Sequence, residues 1–392
     1  MVNITEIRNK SFVLTKKVID KIGPRLAGTK DSLDAAEMLK EEIKTYTDNV
    51  ELEEFNVYKG AFLGWIRILV SCYLLAVVFL WIKIPIVSVI LIVFSLLILV
   101  FQFFLYKPMI DKFYPKKKGL NVIGKVEPSE DVKNQVIISG HHDSARIFNF
   151  FIHQPSLYNL RVTGGIALII VLLLVSVISI FLTTGVIALI LKIIVSLGFL
   201  LTGQMWFFAS SKGTPGAGDN LISSAMAIEI GRYFSVNKLK STRVIIASFD
   251  AEEEGLRGAR AYAKKHKDEF KEIPTYLLNV DCPYYLNELF FMTSDINCSV
   301  ELSTELATEL VEIAHSKNYP ATHKPITFLT GGTDAGELAK QGVHATTLMA
   351  MPWSNSERAS VYHTPNDTID SIEKETIDAA IDIFITFIKN KE

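Results

Sequence analysis

The chain has 392 residues, enough for one large domain or two ordinary ones, and a net charge of −2, so it lacks the basic excess that nucleic acid selects. Apolar residues make up 49% and mean hydropathy is +0.29, high for a soluble enzyme. Cys72, Cys282 and Cys298 are scattered and odd in number, which excludes a disulfide framework and a CxxC metal knuckle.

The opening stretch MVNITEIRNKSF is polar and charged, so no secretory signal peptide is expected there. Residues 4–22 and 31–46 have helical spacing. The second helix is expected to be capped by Asp31 or Ser32, and the Gly/Pro turn GPRLAGT lies between the two. VELEEFNVY alternates like a strand. From Lys59 to Lys107 the only charges are Arg67, Lys83 and the end lysines, and Pro85 divides the run into halves of about twenty residues, enough to cross a hydrocarbon core as helices. LNVIGKVEP and QVIISGHHD follow as strands, the second a buried apolar run ending in polar residues.

A second apolar stretch runs from Arg161 to Lys212 with Lys192 as its only internal charge. Two buried core hairpins are the alternative, but buried core helices rarely run this long without a polar face. We therefore expect two transmembrane helical hairpins, 61–106 and 162–211, inserted in a soluble domain made of 1–60, 107–161 and 212–392. The lipid bilayer is then a partner. Four spans put all three soluble segments on one side. Lys59, Arg67, Lys107, Lys112, Lys116, Lys117, Lys118, Arg146, Arg161 and Lys212 flank the spans there, so the positive-inside rule predicts a cytoplasmic domain.

Beyond the second hairpin, NLISSAMAIEIGRYF, GLRGARAYAKKH, TELATELVEIAHSK and TIDAAIDIFITFIKNK read as helices, and TRVIIASFD, TYLLNVDC and HATTLMAM as strands. The alternation predicts an α/β fold with a mostly parallel central sheet flanked by helices, in which sites form at the carboxyl ends of strands. Polar residues gather there: His141, His142 and Asp143 after VIISG, Glu252, Glu253 and Glu254 after VIIASFDA, and Asp281 after LLNV. Asp219 in PGAGDN and His363 in VYHTPND lie on loops. Any one of these is ordinary, since a lone histidine is usually packed and a glutamate run usually solvated. Together they supply nitrogen and oxygen donors without thiolate, which suits zinc or a similar divalent metal, and a shared carboxylate allows a two-metal hydrolytic site.

The ordered set SGHHDS, PGAGDN, FDAEEEGLRG, LNVDC and YHTPND, with GPRLAGT near the start, resembles zinc-dependent aminopeptidases with a co-catalytic metal pair, to which glutamate carboxypeptidases and glutaminyl cyclases are related. The resemblance covers about 1–60 and 119–392, minus the 162–211 insert. It implies two zinc ions per chain, a peptide substrate and hydrolysis of an amino-terminal peptide bond. The family's His-x-Asp motif makes His141 a ligand, Asp143 the carboxylate that orients it and His142 a neighbour. Asp219 would bridge the metals. Gly255 sets the register of the glutamates, so that Glu252 is the general base, Glu253 a ligand and Glu254 a spacer. Asp281 would complete the first zinc with His141, and His363 the second with Glu253. GDNLISS departs from the family's DDNASG. Asp334 in GGTDAGE matches the Asp of a substrate-side motif, but no histidine follows it, and a loop-capping role is the competing reading. A mono-zinc cyclase-like acyltransferase, and a receptor-like module that has lost catalysis, are the alternatives. The first usually carries Trp where this chain has Tyr362.

Overall fold

The computed structural model describes residues 2–352, 358 and 360–392. The chain divides into two units. One comprises Met1–Lys59, Lys116–Ile147 and Ser211–Glu392, the other Gly60–Pro115 and Phe148–Ser210.

In the first unit an eight-stranded sheet runs in the order Val50–Tyr58, Lys116–Val126, Thr242–Phe249, Asn134–His141, Thr275–Pro283, His344–Ala350, Leu289–Met292 and Thr322–Lys324. It is a mixed sheet. The four strands in its middle, from Thr242–Phe249 to His344–Ala350, are parallel to one another. Lys116–Val126 is antiparallel to both neighbours, and Leu289–Met292 is antiparallel to His344–Ala350. The parallel strands are the continuous apolar runs of the sequence. Val136, Ile137 and Ile138 are fully buried, as strands covered on both faces must be.

Helices Ile4–Ile22, Lys30–Lys44, Ile222–Val236, Arg257–Lys265, Thr304–Ser316 and Lys374–Asn390 flank the sheet and close its core. The second of these starts one residue before the predicted cap. Gly28, at φ +67°, turns the chain so that Thr29 enters extended, and the Thr29 hydroxyl accepts from Ser32 N–H. Thr29 is therefore the cap in place of Asp31 or Ser32. The short strands Leu289–Met292 and Thr322–Lys324 and the helix Asp334–Ala339 were not anticipated.

The second unit has its own apolar core, including Trp65, Leu69, Tyr73, Ile92, Leu172 and Val195. It is built on four helical stretches long and apolar enough to cross a membrane: Ala61–Trp81, Pro85–Phe104, Pro155–Phe181 and Val186–Phe207. The third begins before Arg161, so that arginine lies within the helix. Ile90, Leu174, Phe181, Val186, Leu197 and Leu200 point outward and stay exposed. Several polar groups bond within the unit: the buried Tyr73 Oη donates to Val195 O at 2.8 Å and Ser88 Oγ to Ala76 O at 2.7 Å, and the exposed Trp81 Nε1 donates to Ser196 Oγ at 3.0 Å.

Candidate metal centre

Three adjacent parallel strands deliver the site at their carboxyl ends. His141 is the last residue of Asn134–His141 and pairs in register with Phe249, the last of Thr242–Phe249. Beyond Phe249 the chain enters a tight turn carrying Glu252 and Glu253. Glu252 O accepts from Gly255 N and Leu256 N, both at 2.8 Å. Gly255, at φ +89°, occupies a conformation side chains resist, which explains the glycine that set the register of the glutamates. Asp281 lies near the end of Thr275–Pro283. Asp219 arrives on the loop before helix Ile222–Val236. Gly140 lets that helix come close: a Cβ there would sit 2.5 Å from Ser223 Cβ and 2.8 Å from Ser224 N. His363 is held at φ +52° on its own loop.

The side chains converge. His141 Nε2 is 3.3 Å from Asp219 Oδ1 and 4.0 Å from Glu252 Oε2. His363 Nε2 is 3.3 Å from Asp219 Oδ2 and 3.5 Å from Glu253 Oε1. Asp219 thus has one oxygen toward each histidine. His141, Glu252 and Asp281 bring donor atoms within 4.8 Å of one another, as do His141, Asp219 and Glu253. Cys282 is fully buried, and its sulfur falls within the same distance of Asp219 and Asp281. The Glu252 and Glu253 side chains keep 11% and 16% exposure, whereas His141 and Asp219 have 1% and 3%, so the glutamates form the open side.

This is a crowd of carboxylates out of water. Burial, and then the charges of Glu253, Asp281 and Asp334 against the opposing His141, push the Glu252 carboxyl well above its usual range. Burial and Asp219 do the same to Glu253, and burial lifts Asp281 to about 6. Asp219 is also buried, yet hydrogen bonding and charge from His141 and His363 hold it below the carboxylate range. His141 is raised well above an ordinary histidine, because Asp143 and Asp219 outweigh its burial.

Such a cluster is short of positive charge. Among the described residues, His141 Nε2 and Asp219 Oδ2 are buried without a hydrogen-bond partner, although each has an ion-pair neighbour at 3.3 Å. Buried polar atoms are rarely left so. Two imidazoles and four carboxylates with lone pairs turned inward fit divalent cations of the zinc type.

A shell of hydrogen bonds fixes these groups. Asp143 Oδ1 accepts from Glu252 N at 3.1 Å and Oδ2 from Glu253 N at 3.2 Å, while His141 Nδ1 lies 3.4 Å from Oδ1. His142 is turned elsewhere, with Nδ1 2.8 Å from Ser248 Oγ, and burial depresses its pKa to about 3. Glu254 lies 3.7 Å from Arg146. Four supports went unassigned in the sequence. Asp367 accepts from Gly218 N at 2.7 Å and Asp219 N at 3.3 Å, joining the His363 loop to the Asp219 loop. Arg25, fully buried, donates to the carbonyls of His142, Gly23, Pro215 and Gly216 at 2.8–2.9 Å. Asp250 accepts from Ser32, Leu120 and Ala251. Asp295 accepts from Thr333 N and Oγ1 and from Gly336 N, shaping the turn at Asp334. Asp334 is buried, and among the described residues neither of its carboxylate oxygens has a hydrogen-bond partner. Tyr284 is buried against Gly218.

Residues 202–388 match peptidase family M28. The M28 match takes in Asp219, Glu252, Glu253, Asp281 and His363, while His141 and Asp143 precede it. No curated protein matches the chain. Among solved structures, a zinc-dependent exopeptidase from Parabacteroides distasonis superposes with TM-score 0.59 at 15% identity, over 98% of each chain. A glutaminyl cyclase of Bacteroides thetaiotaomicron bound to N-acetylhistamine gives 0.60 at 12%, over 98% of each. A leucine aminopeptidase precursor from the same species gives 0.59 at 12%, over 98% of this chain and 97% of that one. At these identities the likeness establishes the fold.

Proposed function

We propose that this M28-type chain is a membrane-anchored, di-zinc aminopeptidase. The observation that carries the reading is the convergence of His141, Asp219, Glu253, Asp281 and His363 around a buried, unsatisfied centre, with Glu252 on its open side. His141 and Asp281 would hold one zinc, Glu253 and His363 the other, and Asp219 would serve both through its two oxygens. A bound pair would acidify a shared water and polarise the scissile carbonyl. Glu252, on the open side of the centre, takes a proton from the attacking water and returns it to the leaving amine. Asp143 orients His141 and anchors the Glu252–Glu253 turn. Asp334, buried beside the site with free oxygens, is placed to receive the ammonium of a peptide N-terminus. The four apolar stretches supply the anchor, with the catalytic unit on the cytoplasmic side.

The test uses an aminoacyl chromogenic amide and the purified chain in detergent. Release of the chromophore that is lost on chelation, restored by zinc and abolished in Glu252→Gln supports the reading. A metal-loaded protein that releases nothing from a broad peptide panel ends it.

A further inference from the structure

Within the apolar unit, helix Ala61–Trp81 carries Arg67 and Trp81, and the stretch Val186–Phe207 carries Lys192 and Trp206. Each cation precedes its tryptophan by fourteen positions, about 21 Å at the helical rise. The two elements run antiparallel, so the pairs cross: Arg67 Cζ lies 5.6 Å from the Trp206 ring centroid, and Lys192 Nζ lies 6.0 Å from that of Trp81. The two cation–aromatic pairs are closer together than the roughly 30 Å thickness of a hydrocarbon core, so each cation reaches its interface by extending its side chain outward.

The ends differ. Lys192 is buried, whereas Arg67 is exposed. Next to Arg67 and Trp206 opens a groove of about 590 Å³, walled by Val70, Leu74, Phe199, Leu200 and Phe207 and widened by Gly203. The unit holds six Lys and Arg residues, Arg67, Lys83, Lys107, Lys112, Arg161 and Lys192, against one carboxylate, Asp111, which accepts from Gln102 Nε2. No acidic side chain of this unit forms an ion pair with Arg67 among the described residues, so its charge is available to an anionic group.

We propose that this groove is a binding site for one anionic phospholipid, its acyl chain along Val70, Leu74, Phe199 and Leu200 and its phosphate on Arg67 beside the Trp206 indole. The proposal rests on the membrane-spanning reading. An exposed guanidinium at the head of an apolar groove complements a molecule anionic at one end and apolar along its length.

Full-length protein in detergent is exchanged with phosphatidylglycerol or phosphatidylcholine and examined by native mass spectrometry. Wild type is expected to retain phosphatidylglycerol at least fivefold over phosphatidylcholine. Arg67→Gln should lose that preference, Arg67→Lys should keep most of it, and Ser71→Phe, which fills the groove, should reduce retention of both. Phosphatidylglycerol brominated on its acyl chain should quench a component of tryptophan fluorescence that disappears in Trp206→Phe. Equal retention of the two lipids, or a preference unchanged in Arg67→Gln, overturns the site. Alkaline carbonate extraction separates the failures: protein released from membranes overturns the spanning reading, whereas protein that stays in the pellet without lipid preference overturns the lipid site alone.

Discussion

Asp143→Asn tests the scaffold of the centre more sharply than removal of a ligand. The carboxylate is fully buried, and each oxygen has an N–H to accept, from Glu252 at 3.1 Å and Glu253 at 3.2 Å, with His141 Nδ1 3.4 Å from Oδ1. Asparagine fills the same space with one acceptor and one donor. Whichever way it faces, its NH2 meets a backbone N–H, so one charge-assisted bond is lost and one buried donor stranded. That costs about 2–3 kcal/mol. Both N–H groups belong to the turn carrying Glu252 and Glu253, the proposed base and a proposed ligand, so the cost falls on the site. At about 1.4 kcal/mol per factor of ten, kcat/KM should fall roughly 30- to 150-fold, with zinc affinity weakened about 10- to 100-fold. The assay is steady-state hydrolysis of an aminoacyl amide across a zinc titration, beside a thermal melt showing the variant folded. Activity within threefold of wild type, at unchanged zinc affinity, would refute the reasoning.

Glu252→Gln should keep zinc and fold yet lose about 100- to 10,000-fold in kcat, read by rate and metal content together; retained activity removes Glu252 as the base. His141→Ala should empty one metal position, while His142→Ala, which loses a bond to Ser248, should keep the metal content of wild type; elemental analysis showing the reverse overturns the assignment. Arg25→Met leaves four carbonyls, two of them in buried bonds and two part-buried, without their donor and should destabilise the catalytic unit by about 2–4 kcal/mol, and Arg25→Lys should recover only part, because one ammonium cannot reach all four. Thermal melts of both variants that match wild type would refute this. Burial opposes charge on His266, but Glu269 at 3.2 Å and Glu53 at 2.7 Å prevail and raise its pKa to about 9. A raised histidine pKa stabilises fully below the unfolded value near 6.5 and loses that contribution as pH climbs through about 9. His266→Gln should therefore be less stable than wild type at pH 6 and approach it by pH 9.5; parallel Tm curves for the two would contradict the ion pairs.

The parallel strands were legible because burial on both faces leaves an unbroken apolar run closed by a polar cluster, as in VIISGHHD. The four long apolar helices were legible from length and composition, stretches of twenty or more residues with almost no charge. The side chains that converge at the candidate centre stand in ordered motifs that the sequence displays, with Gly255 beside the glutamates. What holds them was not. Arg25 binds only carbonyls, and a backbone acceptor leaves no trace in the sequence. Asp367 and Asp250 sit inside recognised motifs, but Asp367 accepts from backbone amides of a distant loop, and Asp250 from the Ser32 hydroxyl and the Leu120 N–H, both far away in sequence. The cap at Thr29 depended on the φ of Gly28. The short strands at Leu289–Met292 and Thr322–Lys324 are too brief for alternation to register.

The reaction itself is tested most directly by one measurement: mass spectrometry of a defined peptide library after incubation with the zinc-loaded chain, with Glu252→Gln in parallel. The account predicts stepwise loss of single residues from free N-termini, no cleavage of N-acetylated peptides, and no change with Glu252→Gln. Internal cleavage, conversion of N-terminal glutamine to the cyclised product without hydrolysis, or an unaltered library would contradict it.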